Sequence, residues 1–554
     1  MNTNNETVAG LLEKSIRANW NLLALTDLGG LSLQYRDVGR KICKLHLLFE
    51  HAGIRPGDKI AFCGKNSAQM GVAILAAFAY GAVAVPLLHD FKPDSIARLV
   101  NHSDSLLLIA DDNVVDRLKF DQMPNLTGIL HTSDYSLPYS RSNGLTEARS
   151  HLNELFGDRF PDRFTPDDVV FYKQSSVDDP VLISYTSGST GEPKGVVLPE
   201  RSIWSNLRFC IDGTPYLKPG DQLVMMLPMA HMFGLVVELL LPMARGCHVN
   251  FISRAPSPAV LLDAFAKVRP KHIVGVPLIL EKIIRTRVFP ILEKPLMRLM
   301  LMVPFVDDAL LSKVKEKIDQ AFGGNIVQFI IGGAPLNKEV ETFLRRIGFP
   351  YTVGYGMTEC GPLIAYAQYD QTRPGSCGKV VSRMEAIVDS NDPSEVPGVI
   401  KVKGMNVMLG YYKNPEATAL VLGSDGWLNT GDIGCIDADN YIYIRGRDKN
   451  MILGPSGQNI FPEEIEQVLN NLPYVNESLI VERDGKLVAL IHPDYENASK
   501  QGMTPGQLET TVMNDNLRQL NQQLPSYSQV KSFDIFKEEF EKTPKRSIRR
   551  FLYK

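Results

Sequence analysis

The apolar positions of the first 110 residues follow two alternating patterns. Apolar residues recur at helical spacing in "YRDVGRKICKLHLLFEHAG", and "IRPGDKIAFCG" then leads from a turn into a strand. A further helix and strand follow, and "LLLIADD" is a strand that ends in acidic residues. Strands that alternate with helices are typical of a mostly parallel sheet with helices on both faces. The sequence therefore predicts an α/β fold.

One uncharged stretch, residues 70–88, is nearly long enough to span a bilayer. Gly81 and Pro86 interrupt it, and the part after Gly81 contains β-branched valines. These features favour a buried helix followed by a buried strand over a single transmembrane helix. We therefore expect no transmembrane span.

The alternation of strands and helices resumes at "PVLISYTSGSTG" and continues through "DQLVMMLPMAHMFGL", "KHIVGVPLIL" and "IVQFIIGGAPL". From about residue 398 short alternating strands replace it, which predicts a small β-barrel-like subdomain at about residues 370–447. A short α+β segment follows to the C-terminus. We expect a large N-terminal domain, residues 1–448, and a small C-terminal domain, residues 449–554.

The composition is that of an ordinary globular protein. Of 554 residues, 44% are hydrophobic and 22% are charged, and the net charge of −3 gives no indication of nucleic-acid binding. The seven cysteines stand singly without a CxxC pair, so neither a zinc site nor a disulfide framework is indicated. Single cysteines and a polar N-terminus without a signal-peptide pattern favour a cytoplasmic protein.

The strongest chemical signal is "YTSGSTGEPKG", residues 185–195, which follows a buried strand. Backbone N–H groups of a glycine-rich loop can bind phosphate oxygens, while hydroxyls add donors and a lysine neutralises charge. The GxxxxGK[ST] pattern of P-loop proteins is absent, because Lys194 lies between Pro193 and Gly195. The loop indicates phosphate binding of another kind, with a plain surface turn as the alternative.

The same loop resembles the phosphate-binding signature of the adenylate-forming superfamily, which comprises acyl-CoA synthetases, nonribosomal-peptide adenylation domains and luciferases. Other segments resemble its further motifs in the same order: "YGAVAVPL", "LPMAHMFGL", "IGGAPL", "VGYGMTECGP", "GWLNTGDIG" and "IRGRDKNMILGPSGQNIFPEEIE". The similarity extends from about residue 30 to the C-terminus and is greatest to long-chain fatty acid–CoA ligases. It implies that the C-terminal domain is mobile about a hinge at Lys449.

The resemblance implies a reaction in two steps. ATP activates a carboxylate to an acyl-adenylate with release of pyrophosphate, and the thiol of coenzyme A then attacks. Glu359 and Thr190 would hold Mg²⁺, which prefers oxygen ligands, and Thr358 would contact the α-phosphate. The β- and γ-phosphates would be bound by Thr186, Ser187, Gly188, Ser189, Thr190, Gly191 and Lys194.

The resemblance also assigns residues to the nucleoside and the acid. Asp432 would accept hydrogen bonds from the ribose hydroxyls, with Arg447 beside it, and His231 would form a gate next to the acyl pocket. The adenine would lie against Gly332, Gly333, Ala334, Gly354, Tyr355, Gly356 and Met357. Structural roles are the alternatives: a helix-start acid for Glu359, a turn residue for Asp432 and a core histidine for His231.

The C-terminal tail departs from the superfamily pattern. Members carry a lysine just before a basic tail, and alignment of "EKTPKRSIRRFLYK" places Ser547 at that position. Lys545 would replace it as the catalytic cation, since residues two apart on a strand share a face. The alternatives are a solvated basic tail and an ATP- and acyl-binding protein without turnover.

The expected activity is AMP-forming ligation of a fatty acid, of medium or long chain, to coenzyme A. Loading of an acyl carrier protein is the alternative second step. Residues 281–304 mix cations with large apolar side chains. This mixture fits peripheral contact with the inner face of a membrane or two core helices with basic outer faces, of which the core helices are favoured.

Overall fold

The computed structural model describes residues 6–186, 193–252, 257–303, 305–454, 458–542 and 548–553. The chain divides into two compact units. The first unit contains Met1–Glu385 and Val402–Leu428, and the second contains Ala386–Lys401 and Asn429–Lys554. Residues 429–447, expected in the N-terminal domain, are thus grouped with the C-terminal segment, while the hinge at Lys449 stays a prediction.

An eight-stranded sheet is the largest sheet of the first unit. Its strand order is Gly410–Tyr411, Lys194–Pro199, Pro180–Thr186, Val83–Leu87, Lys59–Cys63, Ser105–Ala110, Gly128–His131 and Tyr139–Ser140. The five strands from Pro180–Thr186 to Gly128–His131 are parallel, and the strands outside them are antiparallel to their neighbours. Burial on both faces explains why the parallel strands are near-continuous apolar runs.

Smaller sheets complete the strand structure of the first unit. One has the order Gln222–Met225, His248–Phe251, Leu23–Asp27 and Ser32–Gln34, with only the last pair antiparallel. A second is wholly parallel and consists of His272–Gly275, Gln328–Ile331 and Tyr351–Val353. A short antiparallel sheet contains Tyr355–Gly356, Leu363–Tyr366 and Lys379–Val380. Because parallel strands end at one edge, the loops after the second sheet lie side by side.

Helices flank these sheets. The longer ones are Val8–Ala18, Tyr35–His51, Ala68–Tyr80, Pro93–His102, Asn143–Ser150, Leu152–Arg159, Glu200–Gly213, Pro258–Val268, Pro277–Ile283, Val306–Ala321 and Lys338–Arg346. A π-helical turn, Gly234–Leu240, continues into the short helix Leu241–Ala244. Further short helices include Pro295–Met300 and Pro415–Ala419.

Helix Ala68–Tyr80 shows how local sequence sets the bounds of an element. The Ser67 hydroxyl accepts a hydrogen bond from the Met70 N–H at 3.1 Å, and Gly81 ends the helix with a φ of 78°. The residues from Ala68 to Ala79 are buried, as is strand Val83–Leu87. The prediction of a buried helix and a buried strand is confirmed, and none of the described helices is long and apolar enough to cross a membrane.

Residues 281–304 differ from the favoured expectation of core helices. Helix Pro295–Met300 contains no buried residue. Its six residues are too few to present a continuous apolar face to a core. For this helix, the interpretation as a core element is wrong.

The second unit contains open sheets. A four-stranded sheet, most of whose residues belong to this unit, has the order Met384–Asp389, Gly398–Gly404, Leu428–Ile436 and Ile442–Arg447. A three-stranded sheet contains Val475–Arg483, Lys486–Pro493 and Ser532–Ile535. Strands Ile452–Leu453 and Asn459–Ile460 form a short pair, and the main helices are Pro462–Leu469, Tyr495–Lys500 and Met513–Gln523. No strand set closes into a barrel in the described ranges, so the α/β class is confirmed with open sheets in place of the barrel-like subdomain.

Candidate active site

The glycine-rich loop joins two antiparallel neighbours of the eight-stranded sheet. Strand Pro180–Thr186 leads into it and strand Lys194–Pro199 leaves it, with Thr186 directly opposite Lys194. The two predicted phosphate ligands that flank the loop are therefore brought together. The remaining five, Ser187, Gly188, Ser189, Thr190 and Gly191, lie outside the described residues.

A tyrosine connects Lys194 with the predicted magnesium ligand. The Lys194 ammonium lies 4.9 Å from the centroid of the Tyr411 ring. The Tyr411 hydroxyl donates a hydrogen bond of 2.9 Å to Glu359 Oε1. Segments far apart in the sequence, the glycine-rich loop and the "GMTE" motif, thus meet through one side chain that the sequence analysis did not single out.

Strand pairing places Tyr411 between these two residues. Strand Gly410–Tyr411 is antiparallel to Lys194–Pro199, with Tyr411 opposite Val196. Burial, followed by the charge of Glu359 and the hydrogen bond to it, raises the pKa of Tyr411 well above its usual range. The hydroxyl therefore remains protonated near neutral pH and continues to donate to Glu359.

The turn that carries Thr358 and Glu359 is held at its C-terminal end by one buried amide. Thr358–Cys360 is a single 3₁₀ turn. The side chain of Asn206 donates to Cys360 O at 3.0 Å and accepts from Leu363 N at 2.9 Å, at a fully buried position. Because one amide holds both the C-terminal end of this turn and the strand that follows it, the fold constrains the position of Glu359.

The "GGA" and "VGYG" motifs follow neighbouring parallel strands. Gly332 donates its N–H to Gly275 O at 3.1 Å, and Gly354 donates to Ile331 O at 2.8 Å. Gly333 has a φ of 86° with open space around it, and Ala334 is exposed. The predicted adenine residues therefore form a small-residue edge that leaves backbone accessible to a flat ring. Tyr355 and Met357 are half-buried beside this edge.

The predicted gate segment reaches the same edge. His231 is half-buried and lies just before the π-helical turn. A Cβ at Gly332 would lie 2.7 Å from Cε1 of Phe233, so this ring packs directly against Gly332. The structure brings Phe233 of this segment to the adenine motif, and the role of His231 as a gate stays a prediction.

Among the described residues, this site has one carboxylate that could bind a magnesium ion, that of Glu359. No group of three or more His, Cys, Asp or Glu side chains that could hold a metal occurs in the described ranges. Mg²⁺ is commonly bound by one or two carboxylates together with water and phosphate oxygens. Glu359 fits as a protein ligand to a metal that arrives with a nucleotide, whereas Thr190 lies outside the described residues.

In the second unit the two predicted ribose residues form an ion pair. Asp432 and Arg447 are opposite each other on antiparallel strands, and Arg447 Nε lies 2.8 Å from Asp432 Oδ1. Asp432 is buried, while about half of the Arg447 side chain is exposed. Lys449 is exposed on the 3₁₀ turn Asp448–Asn450. The fixed carboxylate presents oxygens suited to a diol, although its assignment to ribose stays a prediction.

The tail lysine, Lys545, and Ser547 lie outside the described residues, so the proposed replacement remains untested. The flanking residues Lys542 and Ile548 form an isolated antiparallel bridge. Beyond it, Arg550 forms an ion pair with the buried Glu466, whose pKa burial raises to about 7. The "IRR" end of the tail is thus anchored within the second unit and is not merely a solvated basic tail.

The sequence matches the family of AMP-binding enzymes over residues 12–412. The chain belongs to this family. The resemblance to adenylate-forming enzymes, based on the motif order, is therefore confirmed.

Curated relatives of this AMP-binding enzyme include CoA ligases with different acids. The 4-coumarate–CoA ligase 2 of Oryza sativa subsp. japonica is 29% identical over 461 residues, which cover 80% of this chain and 74% of the rice protein. The long-chain-fatty-acid–CoA ligase of Escherichia coli is 27% identical over 493 residues, which cover 85% of this chain and 82% of the bacterial protein. The relatives support a CoA ligase without separating aryl from fatty acids.

Solved structures share the fold at lower identity. An anthranilate CoA ligase in complex with anthranoyl-AMP aligns with a TM-score of 0.78 at 19% identity, covering 99% of this chain and 96% of that chain. A fatty acyl CoA synthetase of Mycobacterium tuberculosis aligns with a TM-score of 0.64 at 22% identity, covering 99% and 97%. These similarities confirm the α/β architecture of an adenylate-forming enzyme.

Proposed function

We propose that this AMP-binding enzyme is an acid–thiol ligase that activates a fatty acid with ATP and transfers it to coenzyme A. The carboxylate attacks the α-phosphorus of ATP, pyrophosphate leaves, and the thiol sulfur of CoA then displaces AMP from the acyl carbon. The observation that carries the proposal is the connection Lys194–Tyr411–Glu359. It brings a cation of the glycine-rich hairpin and the carboxylate of the acidic turn to one place, which supports binding of a magnesium–nucleotide.

The proposed roles follow from the charges of the side chains. Lys194 neutralises phosphate oxygens, and Thr358, on the turn fixed by Asn206, donates its hydroxyl to the α-phosphate. Glu359 would hold Mg²⁺, which when bound screens the phosphate charge. The buried carboxylate of Asp432 accepts from the ribose hydroxyls. Positioning and charge neutralisation account for the chemistry without a covalent enzyme intermediate.

A fatty acid is favoured by the residues around the gate segment. Buried methionines precede and follow His231: Met225, Met226, Met229 and Met232. A Cβ at Gly275 would lie 3.5 Å from the Met226 methyl, so this side chain lies at the sheet edge that carries Gly332. Methionine adapts its shape to flexible apolar ligands, as an acyl chain requires. The long-chain-fatty-acid ligases among the relatives agree with this choice.

An aryl acid is the second candidate. It is favoured by the several 4-coumarate–CoA ligases that match at 28–29% identity. An aryl acid needs a flat, rigid pocket, whereas a fatty acid needs a long flexible one. The two candidates therefore differ in the acid that supports turnover.

The test is acid-dependent release of pyrophosphate from ATP and Mg²⁺, with acids from acetate to palmitate and with 4-coumarate, each with and without CoA. We expect release with medium- or long-chain fatty acids and AMP formation that depends on CoA. Faster turnover with 4-coumarate would identify an aryl acid, and not a fatty acid, as the substrate. Absence of release with every acid would contradict the ligase proposal.

A matched pair of variants links the activity to the hairpin. Lys194→Met should lower pyrophosphate release by about 100-fold, because a positioned cation near phosphate charge is lost. Lys59→Met is the control: Lys59 also lies over a tyrosine ring, that of Tyr412, at 5.7 Å, but outside the motifs. Equal losses in both variants would show that the hairpin lysine has no special role.

A further inference from the structure

The most exposed apolar residues of the first unit include a group on one short stretch of chain. Leu296, Leu299, Met302 and Phe305 are 69%, 61%, 77% and 87% exposed, and Ile291 and Val303 are also exposed. We call these six residues the 291–305 surface. Isolated exposed apolar side chains are ordinary, but a contiguous group of this size indicates an interaction site.

Cations lie between these apolar residues. The side chains of Lys294 and Arg298 are exposed, and within the described residues neither side chain takes part in an ion pair or hydrogen bond. Residues 291–305 contain two cations, Lys294 and Arg298, and one acid, Glu293, although the whole chain has a net charge of −3. The 291–305 surface is thus locally cationic in an anionic protein.

We propose that the 291–305 surface docks on an anionic lipid membrane. The leucine, methionine and phenylalanine side chains insert among the acyl chains near the headgroups, while Lys294 and Arg298 contact lipid phosphates. The helix Pro295–Met300 lies in the plane of the interface, since it is far too short to span the bilayer. This proposal does not depend on the substrate of the enzyme.

Charge favours a membrane over a second copy of the chain as the occupant. Two copies that met through this surface in a symmetric dimer would bring Lys294 and Arg298 of both copies into one interface. Like charges across such an interface are unfavourable, whereas lipid phosphates are complementary. An anionic bilayer satisfies both the apolar side chains and the cations.

The test is co-sedimentation of the purified full-length chain with vesicles, without ATP, CoA or acid. One set of vesicles is phosphatidylcholine alone, and in the other about a quarter of the lipid is phosphatidylglycerol. We expect at least tenfold tighter binding to the anionic vesicles, and weakening by salt. Lys294→Glu and Arg298→Glu should each reduce this binding by about fivefold or more.

The apolar part of the surface has its own variant and control. The triple variant Leu299→Ser, Met302→Ser and Phe305→Ser should reduce vesicle binding by more than tenfold without lowering the thermal unfolding midpoint. Leu420→Ser removes a side chain that is 81% exposed elsewhere in the first unit and should bind vesicles like the wild type. The proposal would be overturned if the triple variant bound anionic vesicles as tightly as the wild type. It would also be overturned if the wild type did not bind anionic vesicles. A dimer in sedimentation that the triple variant abolishes would instead identify a second copy as the occupant.

Discussion

Two buried glutamates of the first unit, Glu359 and Glu238, have different kinds of hydrogen-bond partner. Glu359 accepts from a side chain, the hydroxyl of Tyr411, whose ring also lies beside the Lys194 ammonium. Glu238 accepts from the backbone N–H groups of Met226 at 3.1 Å and Leu227 at 2.8 Å. One carboxylate is connected to motif residues, and the other is connected to the main chain.

The partners separate a site residue from a structural one. Glu238, on the π-helical turn, holds the end of strand Gln222–Met225 and therefore fixes the course of the chain towards His231. Burial raises its pKa to about 8. Glu359 has one oxygen engaged by a neutral donor, which is suited to a carboxylate that receives a cation. The comparison predicts that changing Glu359 affects turnover, while changing Glu238 affects stability.

The largest effect is expected for Glu359→Gln. Glutamine keeps an acceptor for the Tyr411 hydroxyl but removes the negative charge that we assign to metal binding. Pyrophosphate release at saturating ATP and Mg²⁺ should fall by about 100- to 1,000-fold, with the urea unfolding midpoint nearly unchanged.

Glu238→Gln is the matched control for this prediction. It changes another buried glutamate in the same way and should lower pyrophosphate release by no more than a few-fold. If the two variants lost activity equally, the distinction drawn from their partners would be wrong.

The next largest effect is expected for Tyr411→Phe. This change keeps the ring beside Lys194 and removes only the hydroxyl that donates to Glu359. Loss of a hydrogen bond to a charged group should reduce pyrophosphate release about tenfold. Activity as low as that of Glu359→Gln would mean that the tyrosine itself contacts substrate, while full activity would contradict its positioning role.

The neighbouring Tyr412 provides a control for Tyr411→Phe. Its hydroxyl donates to a carboxylate too, Asp104 Oδ2 at 2.7 Å, but away from the motifs. Tyr412→Phe should therefore leave pyrophosphate release unchanged within about twofold, because a hydrogen bond of the same type is lost at another place.

The sequence was sufficient for elements whose signals are local. Helix Ala68–Tyr80 has a capping serine before it, a glycine after it and a uniformly apolar body, so its bounds and burial could be predicted. For Pro295–Met300, apolar content alone led to the wrong prediction of a core helix, because this helix contains no buried residue. Whether an apolar segment is covered depends on the packing of distant elements, which no local pattern contains.

The same limit applies to the candidate site. Thr186 and Lys194 could be placed together because a glycine-rich turn between strands brings its ends close. Tyr411 could not be placed beside Glu359 from the sequence. It reaches Glu359 only because strand Gly410–Tyr411 pairs with strand Lys194–Pro199. The adjacent tyrosines 411 and 412 give no local sign of which one faces the motifs.

The third largest effect is expected in the pH dependence of stability, through the titration of Glu238. Because the folded pKa of Glu238 is raised from 4.5 to about 8, its contribution to stability is present below about pH 4.5 and is lost as the pH rises towards 8. Glu238→Gln removes this titration. The urea midpoint of the variant should therefore fall less between pH 5.5 and 7.5 than that of the wild type, by up to about 1.4 kcal/mol per pH unit in unfolding free energy. Glu147→Gln, at an exposed position, is the control, and identical pH profiles for Glu238→Gln and wild type would contradict the prediction.

The smallest effect is expected for Glu200→Gln, which asks whether a third buried glutamate behaves like Glu238. Glu200 Oε1 accepts from the backbone N–H of Val8 at 2.6 Å, and burial raises its pKa from 4.5 to about 7. Its contribution to stability is lost over a narrower range, between about pH 4.5 and 7, so the flattening of the pH profile should be weaker than for Glu238→Gln. Pyrophosphate release should not change, because the partner is a main-chain N–H of helix Val8–Ala18, which carries none of the motifs. A loss of turnover here would show that a backbone partner does not mark a structural carboxylate, and the contrast between Glu359 and Glu238 would then need a different explanation.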